Sequence, residues 1–297
     1  MLGRYQFSKV IVRSFPDSER RQPMFQTNRV HRNTVSSFFG IVSVIYHTMV
    51  QNIRGGHRNA VVGIFLMIMR SVIMVGVFYA MFVLIGVRSS PIRGDFILYI
   101  MSGIFLYMIH VTTVRSLARA VSPNEPTMLH SPMNTVIAFL ASALSMLYQQ
   151  TFAIIAMLLV YHLVVTPISI DQPVQAYGML LIAWGSGCAV GLIFGVLTPW
   201  FPNAMPLIMN FYIRANMIAS GKMFLANTLP ASMLALFDWN PLFHAIDQAR
   251  GFVFLHYNPM NSEIAYPVIL TLVLLLIGLM AEFFSRQHAS VSWFAGR

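Results

Sequence analysis

The sequence contains little charge: only 9% of its 297 residues are Asp, Glu, Lys or Arg, whereas 57% are hydrophobic. A soluble domain of this size could not cover its surface with so few polar residues, so the composition indicates a lipid environment. Cysteine is nearly absent, since Cys188 is the only one. A disulfide framework and a cysteine-based metal site are therefore both excluded.

Acidic residues are also scarce, with nine Asp and Glu against nineteen Lys and Arg, which gives a net charge of +10. Such an excess could indicate nucleic-acid binding. However, the basic residues mostly lie at the ends of apolar segments, which is typical of membrane proteins. Nucleic acid is therefore not expected as a partner.

Nucleotide-binding motifs are missing from the sequence. The segment GSGCAVG, from Gly185 to Gly191, resembles a dinucleotide fingerprint, but it lies inside an apolar segment with no strand before it. Glycines at 187, 191 and 195 instead have the spacing that favours close packing of two helices. SGKMF at 220–224 lacks the upstream glycine and the Ser or Thr of a phosphate loop. We expect no cofactor, and any ATP-driven function requires a second polypeptide.

Six apolar segments have the length of about 20 residues that a helix needs to cross a membrane. They are roughly Ala60–Val87, Phe96–Val114, Thr135–Val165, Val174–Leu197, Ala204–Phe224 and Ile264–Phe284. The sequence thus predicts an all-α membrane protein, with a transmembrane domain over residues 35–297 and a basic arm over residues 1–34. The fifth segment is the least apolar, because it contains Asn210, Arg214 and Asn216.

Basic residues flank these segments unevenly. Nine precede the first segment, and four more (Arg115, Arg119, Arg286 and Arg297) follow the second and the sixth, whereas the other side holds at most four. The positive-inside rule therefore predicts that both termini are cytoplasmic. The first thirty residues have no hydrophobic core of their own, so we interpret them as an arm that contacts anionic lipid rather than a cleaved signal peptide.

An amphipathic helix is predicted between the arm and the first span. Phe38, Val42, Ile45, Met49 and Ile53 recur at helical spacing, with polar residues between them. Such a helix lies at the membrane interface or packs on a cytoplasmic partner.

Prolines mark the predicted cytoplasmic connection between the second and third spans. Pro123, Pro126 and Pro132 leave a short rigid segment that carries Met128 and Leu129. Apolar side chains facing the cytoplasm favour a partner surface, and an ordinary loop is the alternative.

The segment WNPLFHAIDQARGF, Trp239 to Phe252, concentrates charge on the predicted outer side. Asn240 and Pro241 form a helix start, and a short helix over about 230–237 precedes it. His244, Asp247 and Arg250 then follow at three-residue spacing on one face. We expect a helical hairpin at the outer surface, half buried and half wet, held by ion pairs. A catalytic His–Asp pair is a weaker alternative, and two ligands are too few for a metal site.

Three segments of the C-terminal half resemble the permease subunits of ABC exporters for capsular polysaccharide and O-antigen, in the type-2 ABC transporter family. GLIFGVLTPWFPNAMPLIM at 191–209 is similar to the end of the family's fourth span, its cytoplasmic turn and the start of its fifth span. SGKMFLANTLP at 220–230 resembles the exit from that fifth span, and WNPLFHAIDQAR at 239–250 resembles the segment before the sixth.

The resemblance implies a permease that moves lipid-linked polysaccharide across the bacterial inner membrane. It implies a homodimer with two ATPase subunits, which bind the ATP, so that this chain is not itself an enzyme. The coupling segment in contact with the ATPase would comprise Pro126, Thr127, Met128, Leu129 and His130. The periplasmic gate would comprise Trp239, Asn240, Pro241, His244, Asp247 and Arg250.

Two arginines are expected inside spans, where charge is costly and indicates a functional position. Arg214 lies in the fifth segment, one turn after Asn210, with Met217 on nearly the same face. Arg70 lies in the first segment, where the family carries an acidic residue. Asn210, Arg214 and Arg70 are thus conduit candidates, although Arg214 could equally form a structural pair or extend to the interface. The remaining alternatives are a membrane-embedded acyl- or glycosyltransferase and a secondary transporter.

Overall fold

The computed structural model describes residues 34–54, 60–86, 92–121 and 135–288. The chain divides into two compact units, residues 1–39 and residues 40–297. In the first unit only the start of one helix is described. The predicted arm up to residue 33 and the coupling segment at 126–130 lie outside the described residues.

The described chain is helical and contains no strand. Its α-helices are α1 (Thr34–Arg54), α2 (Ala60–Leu84), α3 (Phe96–Ala120), α4 (Thr135–Val164), α5 (Pro173–Leu197), α6 (Ala204–Ala219), α7 (Ala231–Phe237), α8 (Pro241–Val253) and α9 (Ala265–His288). A short 3-10 helix at Ala226–Thr228 lies between α6 and α7. Helix α1 forms where the periodicity predicts one, and its place at a membrane surface stays a prediction.

Five described helices, α2 to α5 and α9, are long and apolar enough to cross a membrane. The predicted count of six is not confirmed, because the fifth predicted span forms α6, a helix of only 16 residues. At about 1.5 Å per residue, α6 is shorter than the roughly 30 Å hydrocarbon core. The helix ends at Ala219, and Gly221 follows with φ +71°, a left-handed conformation that commonly terminates helices.

Helix α3 forms the centre of the bundle and is almost entirely buried, with α5 packed closely along it. The predicted glycine spacing explains this close packing. A methyl group at Gly187 would lie 2.7 Å from the His110 carbonyl oxygen, and one at Gly191 would lie 3.0 Å from that of Val114. The prediction of small-residue packing in this segment is confirmed. In contrast, the apolar windows of α2, α4 and α9 are mostly exposed, as expected of surfaces that face lipid or another subunit.

Polar contacts join several connections at the end of the bundle where α3 begins. Asp95 caps α3 by accepting a hydrogen bond from the Ile97 amide at 2.8 Å, and it also accepts from the Tyr161 hydroxyl at 2.6 Å and the Thr166 hydroxyl at 2.8 Å. Burial raises the pKa of Asp95, but these hydrogen bonds outweigh burial and hold the pKa below its usual value. The Gln172 amide donates to the Phe252 carbonyl at 2.8 Å. The start of α3, the α4–α5 connection and the end of α8 therefore meet.

Candidate functional site

A cavity of about 230 Å³ lies between α2, α3 and α6. Three arginines line it, one from each helix: Arg70, Arg115 and Arg214. A second cavity of about 400 Å³ shares Arg70 and Arg115 and adds Arg119 from α3 and two glutamines from α4. We call the two together the arginine cavity.

No acidic residue is among the described residues that line the arginine cavity. Several guanidinium groups in a largely apolar bundle repel one another and favour a bound anion as counter-charge. The planar guanidinium fork fits carboxylates and phosphates, and it also donates to sugar hydroxyls. The arrangement is therefore suited to binding acidic or phosphorylated, hydroxyl-rich cargo.

The structure brings together two of the three conduit candidates predicted from the sequence. Arg70 and Arg214 line the same cavity, together with Met217, whereas Asn210 is exposed and does not line it. Sequence reasoning missed Arg115 because it assigned this residue to the cytoplasmic flank of a span. Its helical spacing from Met108, seven positions earlier on α3, is the signal that could have placed it in the cavity.

Helix α6 is attached to the bundle by a small number of apolar and polar contacts. Only Ile213 and Asn216 of its residues are buried. The Tyr212 hydroxyl lies 2.9 Å from His110 Nε2, and the Tyr107 hydroxyl donates to the Ile213 carbonyl at 3.3 Å. The wall of the arginine cavity that α6 provides is therefore held by these hydrogen bonds together with Ile213, which belongs to the apolar core, and with Met209 and Tyr212, which pack against it.

The two predicted hairpin helices form with nearly the predicted bounds, as α7 and α8. The Asn240 side chain caps α8 by accepting from the Leu242 amide at 3.0 Å, and Pro241 occupies the first helical position. Asn240 also donates to Asn216 Oδ1 at 2.9 Å, which ties α8 to α6. Trp239 is largely exposed. The role of these residues as a gate, and the side of the membrane on which they lie, stay predictions.

The expectation that α8 is half wet is wrong. His244, Asp247 and Arg250 are all buried, because α8 packs against α3, α5 and α9 rather than lying on the surface. The short helix α7 is instead the exposed element of the pair. The spacing of apolar residues in α8 correctly predicted its apolar face. It could not predict that other helices also bury the polar face.

The three titratable residues of α8 do not pair with one another, contrary to the sequence expectation, and His244 Nε2 instead lies 3.2 Å from Asp238 Oδ1. His244 Nε2 donates to the Asp238 carbonyl at 2.7 Å, while His244 Nδ1 accepts from the Glu263 amide at 3.0 Å. Both ring nitrogens are thus used to hold the segments before and after α8. This geometry does not favour a catalytic base oriented by Asp247.

Asp247 forms a separate network. It accepts hydrogen bonds from the Ser262 hydroxyl at 2.8 Å, the Tyr257 hydroxyl at 2.5 Å and the Ala226 amide at 3.4 Å. Burial and the negative charge of Asp247 raise the pKa of Tyr257, so this tyrosine remains a proton donor. Asp247 therefore joins the chain on both sides of α8.

Arg250 binds the backbone just after α6. Its Nη1 donates to the carbonyls of Gly221 at 2.9 Å and Phe224 at 2.6 Å, and its Nη2 donates to that of Lys222 at 2.6 Å. Its guanidinium carbon lies 4.4 Å from the centre of the Tyr99 ring. Arg250 thus satisfies carbonyls of the non-helical backbone that follows α6, as buried non-helical backbone requires.

Metal ligation has no support in the described part of the chain, where no group of three His, Cys, Asp or Glu side chains could hold an ion.

The apolar helices define a multi-pass membrane protein. No protein-family model matches the chain. Two curated proteins from Escherichia coli, both described as polysialic acid transport protein KpsM, are each 24% identical to it over 202 residues, or 67% of this chain and 76% of theirs. This similarity confirms the resemblance drawn from the sequence and supports a permease of the type-2 ABC exporter class.

Proposed function

We propose that this chain is the membrane-spanning permease of an ATP-driven exporter that moves acidic capsular or related cell-surface polysaccharide across the bacterial inner membrane. The similarity to two polysialic acid transport proteins supports a polysaccharide exporter. The observation that carries the proposal is the arginine cavity, where Arg70, Arg115 and Arg214 meet and no acidic residue is among the described lining residues.

The proposal includes a homodimer, with the arginine cavity facing a conduit between the two copies. Arg70 and Arg214 are exposed on the surface of a single chain, where contact with lipid would be costly. A second copy that covers this surface would place both arginines in a wet passage instead. The exposed apolar residues Phe211 and Ile218 on α6 would pack against the partner or lipid.

Two copies of an ABC ATPase complete the proposed exporter, since this sequence carries no nucleotide-binding motif. The coupling segment Pro126–His130 is the proposed contact with the ATPase, and the distribution of basic residues supports a cytoplasmic position for it and for both termini. The segments around α7 and α8 would then form a periplasmic gate, with its charged residues serving to position the gate.

Co-purification with an ATPase encoded beside this chain tests the proposal. The wild-type chain should retain the ATPase, and replacement of Met128 and Leu129 by aspartate should release it, because two charges would be desolvated in an apolar contact. The double variant should still insert into the membrane. Unchanged ATPase association in this variant would contradict the assigned contact. Absence of an associated ATPase from the wild-type chain would contradict the proposal that the chain is part of an ATP-driven exporter.

A further inference from the structure

Two basic residues are buried next to each other, Lys222 in the segment that follows α6 and Arg250 on α8, and they differ in their contacts. Arg250 is fully buried and donates to three carbonyls. Lys222 is only 2% exposed, yet no described residue accepts a hydrogen bond from its Nζ. Both Nη atoms of Arg250 are therefore satisfied by the backbone and only its Nε is left without a described acceptor, whereas Lys222 Nζ has no described acceptor at all.

Aromatic rings surround the ammonium group of Lys222. Nζ lies 3.4 Å from the centre of the Tyr107 ring and 4.5 Å from that of Phe78. Cation–π attraction offsets part of the cost of burying this charge, but it leaves all three N–H donors without an oxygen acceptor. Burial lowers the pKa of Lys222 to about 7, so the surroundings of Nζ lack the counter-charge that an anion would supply.

Tyr107 separates Lys222 from the arginine cavity. Its ring contacts Nζ, and the same residue lines the cavity beside Arg70 and Arg214. The Tyr107 hydroxyl is held by one long hydrogen bond, at 3.3 Å to the Ile213 carbonyl of α6. Because the Tyr107 ring is buried in the core beside Ile213 of α6, opening a path to Lys222 requires α6 and this ring to move together.

We propose that Lys222 is a further anion-binding residue of the cargo path, reached from the arginine cavity when the Tyr107 ring moves aside. The ligand group is a carboxylate or a phosphate, which a compact ammonium with three free donors binds as a point charge. This inference rests on the proposed function, since Lys222 would add a fifth basic residue to the four arginines of the same cavity.

Replacement of Lys222 by methionine separates a binding role from a structural one. Methionine has a similar length and no charge, so the Lys222→Met chain should melt at the same or a higher temperature than the wild type. Arg250→Met is the matched control, because it removes the donors to three buried carbonyls and should melt at a lower temperature.

The full-length chain in lipid nanodiscs can be tested with three probes: polysialic acid for carboxylates, inorganic pyrophosphate for phosphates and dextran as the neutral control. Lys222→Met should weaken binding of at least one anion by about tenfold, as expected for the loss of a charge-assisted hydrogen bond, without changing dextran binding. Loss of polysialic acid binding would identify a sugar carboxylate as the ligand. Loss of pyrophosphate binding would identify a phosphate, as in a lipid carrier.

Several results would overturn the inference. A lower melting temperature for Lys222→Met would indicate a structural lysine, and unchanged anion affinity would exclude a binding role. If Arg70→Gln and Arg214→Gln lose anion binding while Lys222→Met retains it, the proposed function stands and only this inference fails. If the wild-type chain binds neither anion, the acidic-cargo proposal fails, and the inference fails with it.

Discussion

Arg250 illustrates how a charged residue in a membrane protein can serve the backbone rather than the substrate. The sequence presents it as the last member of a charged trio, and the resemblance implies a role in a gate. The structure places its guanidinium against the three carbonyls at Gly221, Lys222 and Phe224. Arg250 therefore stabilises the break after α6, and any gating role would depend on keeping or releasing these bonds.

Replacement of Arg250 by lysine should destabilise the chain, although lysine keeps the positive charge. A single ammonium cannot reproduce the geometry of a planar fork that reaches three carbonyls, so at least one carbonyl would lose its donor at a cost of about 1–3 kcal/mol. Thermal unfolding in detergent measures the effect. Arg93→Lys, at an exposed position near the start of α3, is the control and should change stability little. An Arg250→Lys variant as stable as the wild type would contradict the assignment.

Helices α3 and α5 carry the closest packing in the bundle, and two glycines of α5 provide a matched test of it. An added methyl group at Gly187 would lie 2.7 Å from a backbone carbonyl of α3, whereas one at Gly178 would meet nothing within 4 Å. Gly187→Ala should therefore lower stability by about 1–3 kcal/mol through overpacking. Gly178→Ala should be neutral or raise stability by up to about 1 kcal/mol, because alanine favours helix.

The comparison is made by thermal or denaturant unfolding of the two variants. Equal stability of Gly187→Ala and Gly178→Ala would show that α3 and α5 are not in such close contact.

The residue pattern within each segment was sufficient to predict most of the helices, but it did not predict which of them are buried. The start of α8 follows from Asn240 as cap and Pro241 as first residue, and the glycine spacing of α5 indicated its packing. The burial of α8 and the length of α6 did not follow, because both depend on tertiary contacts. Arg250 binds carbonyls 26 to 29 positions earlier in the chain, and no periodicity within α8 records that pairing.

The arginine cavity could also be predicted only in part, because the sequence indicates single arginines but not which of them meet. Each arginine stands out in an apolar sequence, so Arg70 and Arg214 could be chosen as candidates from hydropathy alone. Their meeting with Arg115 depends on how α2, α3 and α6 pack, which the sequence pattern does not specify. The sequence could thus indicate single residues as candidates, but it could not predict which residues line the cavity together.

At the scale of the larger unit, residues 40–297, the described helices form a bundle around α3 with apolar outer faces suited to lipid, and four arginines line the arginine cavity. The cavity is the basis of the proposed passage for an acidic polymer. His244 and Asp247, the candidates for catalysis, are engaged in separate structural hydrogen bonds.

Polysaccharide export from cells that carry Arg214→Gln or Arg70→Gln tests the central claim most directly. Cell-surface polysaccharide would be measured beside the amount of permease in the membrane, with Arg54→Gln, an exposed position at the end of α1, as the control. Both cavity variants should lose most of the export while their membrane levels match the wild type, because each removes a guanidinium from the proposed conduit. Wild-type export from both variants, or a loss of permease that accounts for the defect, would contradict the claim that the arginine cavity lies on the transport path.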